Sequence, residues 1–381
     1  MKVLQVNASY KPAVIYGGPT MSVSKLSEEL CKNGINTEVI TTLANGKNEL
    51  NFPVKKIIYI ENVPVRFFKR ITKDHTHFSP GLIKHLLKIK KTETTIIHIH
   101  AWWNLVSIFT CLIAQLKNIP VVLSPRGTLS YYSFNKKHNL IKRWIHFLAG
   151  KKLLSNCYLH VTSEAEKTEI LKLFQPKKIQ VIANFISFPT NLEIKSDKKT
   201  LILKLLFMSR IDPKKGLEIL LEALAGIDFP YHLTIAGTGE QDYIIALQKI
   251  VAKNSMQPFV SWVGFQNQQS KFKILQQHDL LVLPSHNENF GNVVIESLAV
   301  GTPVLISKNV GLADYVIKNN LGFTFDNYPK ELQKQLKNLY KNSICLDEIR
   351  SKAPQKIRED FAETSLVKKY VDFYQQIITT N

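Results

Sequence analysis

The residues best placed to do chemistry lie between positions 280 and 305, in LLVLPSHNENFGNVVIESLAVGTPVL. Two glutamates, Glu288 and Glu296, stand eight positions apart, one before an expected helix start near Asn292 and one about a turn inside it. Between them Asn289, Phe290, Gly291 and Asn292 form a segment whose backbone N–H groups can face an anion. A helix N-terminus carries about half a positive charge and several unpaired donors, so a diphosphate is its natural guest. Glu296 can then accept from the two hydroxyls of a ribose, and Glu288 from hydroxyls of an attached sugar.

These residues need strands to carry them. In the second half LKLLFMSR, YHLTIAG, FVSWVG, DLLVLPS and TPVLIS read as strands, with helices at LEILLEALAGI, DYIIALQKIVAKN and 292–300. In the first half KVLQVNA, TEVITT, TTIIHIHA, PVVLSP, YLHVTS and IQVIAN read as strands spaced by helix-length segments. This alternation predicts two α/β domains, each with a doubly wound parallel sheet and ligands at the carboxyl ends of the strands. The polar stretch around 185–199 reads as a linker, which divides the chain into 1–188, 200–360 and a last helix, 361–381, expected to lie back on the first domain. At strand ends stand further candidates: Arg210 and Lys215 in SRIDPKKG, Gly237 and Gly239 in IAGTGE, and Gly264 and Phe265 in WVGF.

In this order and spacing the second half resembles the family 4 glycosyltransferases, whose signature is a pair of glutamates separated by seven residues within a strand–loop–helix. The resemblance implies a GT-B fold, two Rossmann-like domains facing a central cleft, with the donor nucleotide on the C-terminal domain. It implies that Arg210 and Lys215 hold the diphosphate and that, with Glu288, they carry catalysis. Nucleotide binding then falls to Gly237, Gly239, Gly264, Phe265, Asn289, Phe290, Gly291, Asn292 and Glu296. The donor is a UDP- or GDP-sugar, transfer retains anomeric configuration, and no cofactor or metal takes part, in keeping with the lack of any Asp-x-Asp in the chain. The first half resembles the family less tightly. Gly17 and Gly18 follow the first strand; His100, at the tip of IIHIHAWW, is the expected acceptor-side histidine, while His98 is expected to be buried. Where many members carry a histidine that reaches the sugar, this chain has Pro125-Arg126-Gly127. That loop resembles the branch acting in exopolysaccharide and lipopolysaccharide synthesis, and Arg126 becomes a candidate for an acceptor phosphate or for the donor's own charge.

The bulk properties set the remaining bounds. A chain of 381 residues with 45% hydrophobic and 21% charged residues fits two globular domains. The scattered cysteines argue against a disulfide framework or zinc site, and MKVLQVNASY reads as no secretory signal, so a cytoplasmic protein is expected. Residues 1–190 carry 27 Lys and Arg against 10 Asp and Glu, an asymmetry that attracts polyanions. Within it, residues 136–154 combine an apolar stripe around Trp144 with flanking lysines, the pattern of a helix lying on an anionic membrane at the inner face of the cell. Partners are thus a sugar nucleotide, a glycan or lipid-linked acceptor, and that membrane surface. The rivals are a basic nucleotide- or nucleic-acid-binding protein without catalysis and another GT-B enzyme such as an epimerase. Nucleic acid is disfavoured because neither a helix-turn-helix nor an RRM signature is present, and a dehydrogenase because G-x-G-x-x-G is missing.

Overall fold

The computed structural model describes residues 1–92, 94–130, 150–188 and 201–380. Most of the expected basic helix and most of the expected linker lie outside these residues. The chain forms two compact units, Met1–Phe185 together with Glu363–Asn381, and Ile186–Ala362.

The first unit begins with β1 (Lys2–Val6), α1 (Gly18–Lys32) and β2 (Asn36–Thr42). A small hairpin, β3 (Ala44–Asn45) and β4 (Asn48–Glu49), precedes β5 (Ile57–Ile60) and β6 (Val63–Phe68). Then follow α2 (Pro80–Lys88), β7 (Thr95–His100), α3 (Leu105–Leu116) and β8 (Val121–Ser124). The series closes with α4 (Lys151–Ser155), β9 (Tyr158–Val161), α5 (Glu164–Leu171) and β10 (Lys178–Val181). The sheet runs β10-β9-β8-β7-β1-β2-β6-β5, and β5 alone is antiparallel to its neighbour. Strands β7, β8 and β9 are buried at every position, as a parallel sheet covered on both faces requires. The β5–β6 edge was not foreseen from the sequence: β5 alternates exposed and half-buried residues, and β6 is interrupted by Pro64 and Arg66. Such a pattern lacks the continuous apolar run of a central strand.

The second unit contains β11 (Leu203–Met208), α6 (Leu217–Leu224), β12 (Tyr231–Ala236), α7 (Gln241–Lys253) and β13 (Val260–Gly264). It continues with α8 (Gln268–Gln276), β14 (Leu280–Leu283), α9 (Asn292–Ala299), β15 (Val304–Ser307) and α10 (Ala313–Lys318). It ends with β16 (Gly322–Phe325), α11 (Pro329–Lys341) and α12 (Ile344–Asp360). Its six strands are ordered β13-β12-β11-β14-β15-β16, which is the 3-2-1-4-5-6 winding of a dinucleotide-binding sheet. The direction of winding reverses between β11 and β14, so the loops after those two strands border the expected ligand crevice. In the first sheet the same reversal falls between β1 and β7.

The last helix, α13 (Glu363–Thr380), belongs to the first unit although the whole second unit precedes it in the chain. Leu366, Val367, Tyr370, Phe373, Tyr374 and Ile377 recur at helical spacing and are buried in one cluster with Val3, Leu26, Leu30, Ile96 and Val122. Lys25 of α1 also reaches Glu363 at 2.8 Å. Removing the fully enclosed ring in Phe373→Ala should cost the first unit about 3–5 kcal/mol. A urea titration followed by amide exchange in β1 and β7 reads this, and an unchanged midpoint would show that α13 does not stabilise the sheet.

Candidate functional site

Close backbone approach assembles the loops at the reversal point of the second sheet. A Cβ on Gly237 would lie 1.9 Å from the Ser209 carbonyl oxygen, and one on Gly239 1.9 Å from that of Ile211. Gly216, at φ +65°, would put its Cβ 2.1 Å from the carbonyl oxygen of Pro284. Only glycine fits such contacts. The Ile211 N–H donates to Thr238 at 2.8 Å and the His286 N–H to Lys214 at 2.9 Å, so the segments after β11, β12 and β14 form one surface. Asp212 caps a short turn at Pro213–Lys215, its carboxylate accepting from the Lys214 N–H at 2.9 Å.

Onto this surface the fold brings the acidic and basic residues singled out above. Lys215 and Glu288, 73 positions apart in sequence, form a half-buried ion pair. The Glu288 backbone is fixed in a parallel bridge: its N–H donates to Asn309 at 3.1 Å and its carbonyl accepts from Gly311 at 2.8 Å. Glu296 pairs with Lys271 of α8 at 2.7 Å, and both side chains are largely enclosed. Arg210 is exposed and makes no side-chain hydrogen bond or ion pair among the described residues. Lys214, beside it, has its pKa lowered by burial, against the pull of the Glu288 charge. Gly291, at φ +92°, starts α9, where Asn292 is the first helical residue. Phe290 is buried against Phe361 with ring centroids 6.3 Å apart, so its contribution to a ligand is confined to the backbone. Phe265 is exposed next to Gly264, which at φ +67° has open space where a Cβ would be.

Lys271 and Lys214 escaped the sequence reading. Lys214 sits beside a flagged lysine, but nothing local marks Lys271 as the partner of a glutamate 25 positions on.

In the first unit Gly17 lies at φ +66° with open space at its Cβ position, and Gly18 opens α1. His100 is corrected. It is fully enclosed rather than presented at a strand tip, since all six residues of β7 are buried and the buried Trp102 follows the strand. Its Nε2 lies 2.6 Å from Gln5 Oε1, and its Nδ1 accepts from Arg126 Nε at 3.3 Å. Among the described residues its ring nitrogens are taken up by Gln5 and Arg126. His98 is buried as expected, 2.7 Å from the Tyr374 hydroxyl and 2.6 Å from Ser124 Oγ. Arg126 remains partly exposed, and Asn184 accepts from its Nη1 at 3.0 Å. Glu166 was also missed: it accepts from the Gly127 and Thr162 N–H groups, both at 2.9 Å, and so ties the Arg126 loop to the start of α5.

Two doubly wound units, one with paired lysines and glutamates at its sheet reversal, make up the described part of the chain. Residues 16–188 match the model of "Glycosyltransferase Family 4" and residues 190–360 that of "Glycosyl transferases group 1". Together these matches span nearly the whole chain, and it belongs to this family of GT-B glycosyltransferases. An uncharacterised glycosyltransferase of Methanocaldococcus jannaschii is 25% identical, with 98% of each chain covered. Among solved structures, Anabaena HepE with UDP and glucose superposes with a TM-score of 0.72 at 18% identity, covering 99% of this chain and 100% of the other. WaaG, a glycosyltransferase involved in lipopolysaccharide biosynthesis, gives 0.66 at 17%, covering 98% and 99%. At these identities the structures share the fold.

Burial holds four histidines of the first unit neutral, lowering His160 to about 3 and His77 to about 4, and pushing His98 and His100 well below the usual range. The unfolded chain binds protons at these sites below about pH 6.5, whereas the folded one does not. Their stabilisation is therefore complete above about pH 6.5 and falls as the pH drops toward 4 and 3. At about 1.4 kcal/mol per pKa unit, the fall at His160 from about 6.5 to about 3 corresponds to about 5 kcal/mol, lost in full only below about pH 3. Urea titrations at about pH 7 and pH 4.5 should show the first unit losing stability; equal midpoints would mean that these imidazoles protonate in the fold.

Proposed function

We propose that the chain is a retaining glycosyltransferase that moves a sugar from a UDP- or GDP-sugar to a glycan or lipid-linked acceptor in cell-surface polysaccharide synthesis. The observation carrying this reading is the meeting of Lys215 with Glu288, and of Lys271 with Glu296, at the reversal point of the second sheet. Loss of a nucleoside diphosphate from an anomeric carbon builds negative charge on the leaving phosphate, and fixed cations and helix dipoles aimed there lower the barrier. Arg210, Lys215 and the start of α9 are the groups for that task. Lys215 also holds Glu288 in place as an acceptor for sugar hydroxyls, as Lys271 does for Glu296 toward the ribose. With no nucleophile identified in the sequence, retention is assigned to a same-face departure in which the leaving phosphate takes the acceptor's proton. The Pro-Arg-Gly loop, and the likeness to a structure named for lipopolysaccharide synthesis, support a cell-surface glycan as the product.

A thermal-shift screen against UDP- and GDP-sugars identifies the donor, since a ligand at 100 times its dissociation constant adds about 2.7 kcal/mol. Glu296→Ala should weaken nucleoside diphosphate binding by about 1.5–3 kcal/mol, while Glu288→Ala chiefly lowers turnover. Arg210→Ala and Lys215→Ala should each slow transfer by roughly 10²–10³. Calorimetry showing equal nucleotide affinity for wild type and Glu296→Ala would remove the ribose assignment. Because both glutamates face ammonium partners, chelator should leave the rate unchanged; a rate abolished by EDTA and restored by manganese would overturn the metal-free mechanism.

The acceptor is met at the inner face of the cell membrane in this reading, through the basic segment 136–154. No helix among the described residues is long and apolar enough to cross a membrane. Exchanging Lys136, Lys137, Lys142 and Lys151 for glutamine removes about 1 kcal/mol of attraction per residue and should release the protein from anionic liposomes. Equal binding by the quadruple variant would assign the segment no membrane role.

A further inference from the structure

The carboxyl ends of β7 and β8 carry two non-glycine residues in the left-handed region, Ala101 at φ +62° and Arg126 at φ +52°. Such backbone is disfavoured, and it persists where surrounding contacts over-determine it, commonly at ligand sites. The contacts here are numerous. Ala101 N–H donates to the Ser124 carbonyl at 2.9 Å, Trp102 N–H to Thr128 Oγ1 at 3.1 Å, and Trp103 Nε1 to the Thr128 carbonyl at 2.8 Å. The two loops are thereby locked to each other.

Arg126 forms no ion pair among the described residues, the Glu166 carboxylate acting on it only from a distance. Its Nε and Nη1 donate to His100 Nδ1 and Asn184 Oδ1, both neutral, and no carboxylate pairs with it among the described residues. Glu166, in the first turn of α5, accepts from the Gly127 and Thr162 N–H groups. A guanidinium so placed offers its remaining N–H groups to an anion, and its planar fork suits a phosphate.

Behind Arg126 runs a buried polar relay whose protons can be assigned. The Ile182 carbonyl only accepts, so His160 Nε2, 2.8 Å away, carries hydrogen. His160 Nδ1 then accepts from the Ser124 hydroxyl at 2.6 Å. Ser124, its proton committed, accepts from His98 Nε2–H, and His98 Nδ1 accepts from the Tyr374 hydroxyl. His100, receiving Arg126 Nε–H on Nδ1, donates from Nε2 to Gln5. All three histidines are neutral Nε2–H tautomers with both ring nitrogens occupied. The relay therefore moves no proton to a substrate; it fixes Ser124, two residues before Arg126, and the imidazole on which Arg126 rests.

We propose that Arg126 anchors a phosphate group of the acceptor, and that Tyr374 of α13 is a positioning residue acting on it through His98 and Ser124. This rests on the reading of the chain as a glycosyltransferase whose first unit receives the acceptor. The test uses the full chain labelled with ¹⁵N-arginine and ¹⁵N-histidine and saturated with UDP, so that Arg210 and Lys215 are already occupied. Inorganic phosphate is titrated at constant ionic strength while the Arg126 Nε–H signal, identified by its loss in Arg126→Lys, is followed. The signal should move saturably with phosphate and not with chloride. In Tyr374→Phe, which keeps the ring, the signal should start from a shifted position, the His98 Nδ1 resonance should move, and phosphate should bind about tenfold more weakly, without a matching loss of UDP affinity. A second variant, Ser124→Ala, should act likewise.

An Arg126 signal that ignores phosphate in a protein that still binds UDP and turns over sugar nucleotide overturns the anchor and leaves the glycosyltransferase reading intact. A shift produced by UDP alone, with none on adding phosphate, assigns Arg126 to the donor and overturns the acceptor role. Unchanged phosphate affinity in Tyr374→Phe removes the positioning role. Phosphate binding at Arg126 in a protein that takes no sugar nucleotide confirms the anion site and defeats the reading on which the acceptor assignment rests.

Discussion

Backbone packed on backbone, too close to admit a single Cβ, is the constraint from which the second unit's chemistry follows. Gly216 lies on the Pro284 carbonyl, Gly237 on that of Ser209, and Gly239 on that of Ile211. These contacts draw the loop after β11 against the loops after β12 and β14, and Lys215 meets Glu288 as a result. A side chain at any of the three would separate the loops by ångströms, and a charge pair responds to that distance directly. The glycines thus act on chemistry without touching a ligand.

The first unit solves a different problem. Its sheet buries Gln5, His98, His100, Ser124 and His160, and buried polar groups cost free energy unless they are hydrogen-bonded. Part of that bonding comes from the last helix, whose Tyr374 and Tyr370 hydroxyls reach His98 at 2.7 Å and His160 at 3.0 Å. The helix is therefore held by its apolar stripe and also by groups that would lose their partners if it left. Neutral imidazoles suit this role: each offers one donor and one acceptor in fixed directions, and the Ile182 carbonyl at one end sets the direction of every bond in the series.

Much of this was legible in the chain. The apolar runs that became β1, β7, β8, β11, β12, β14 and β15 are long enough to announce buried parallel strands, and the segments at their carboxyl ends carry the flagged residues in family order. Two edge strands were not legible, because β5 is half exposed and β16 is four residues opening on a glycine. Partners across the sheet were not legible either. His100 looked like a strand-tip residue because sequence shows the end of an apolar run but not that the whole of β7, and Trp102 after it, is buried.

The sequence by itself determined that two α/β domains built on parallel strands would form, since strand periodicity and turn residues are local properties, and it marked loops that could carry an anion, since helix starts and glycines are local as well. Only the tertiary structure decided the pairings: Glu296 with Lys271, Glu288 with Lys215, and Arg126 with His100 and Asn184. These bonds join segments 25 to 73 positions apart, and a side chain's partner at that separation is fixed by strand order and loop packing. For the same reason Arg126 could be read as a cation from the chain, but its neutral partners, His100 and Asn184, appeared only in the fold.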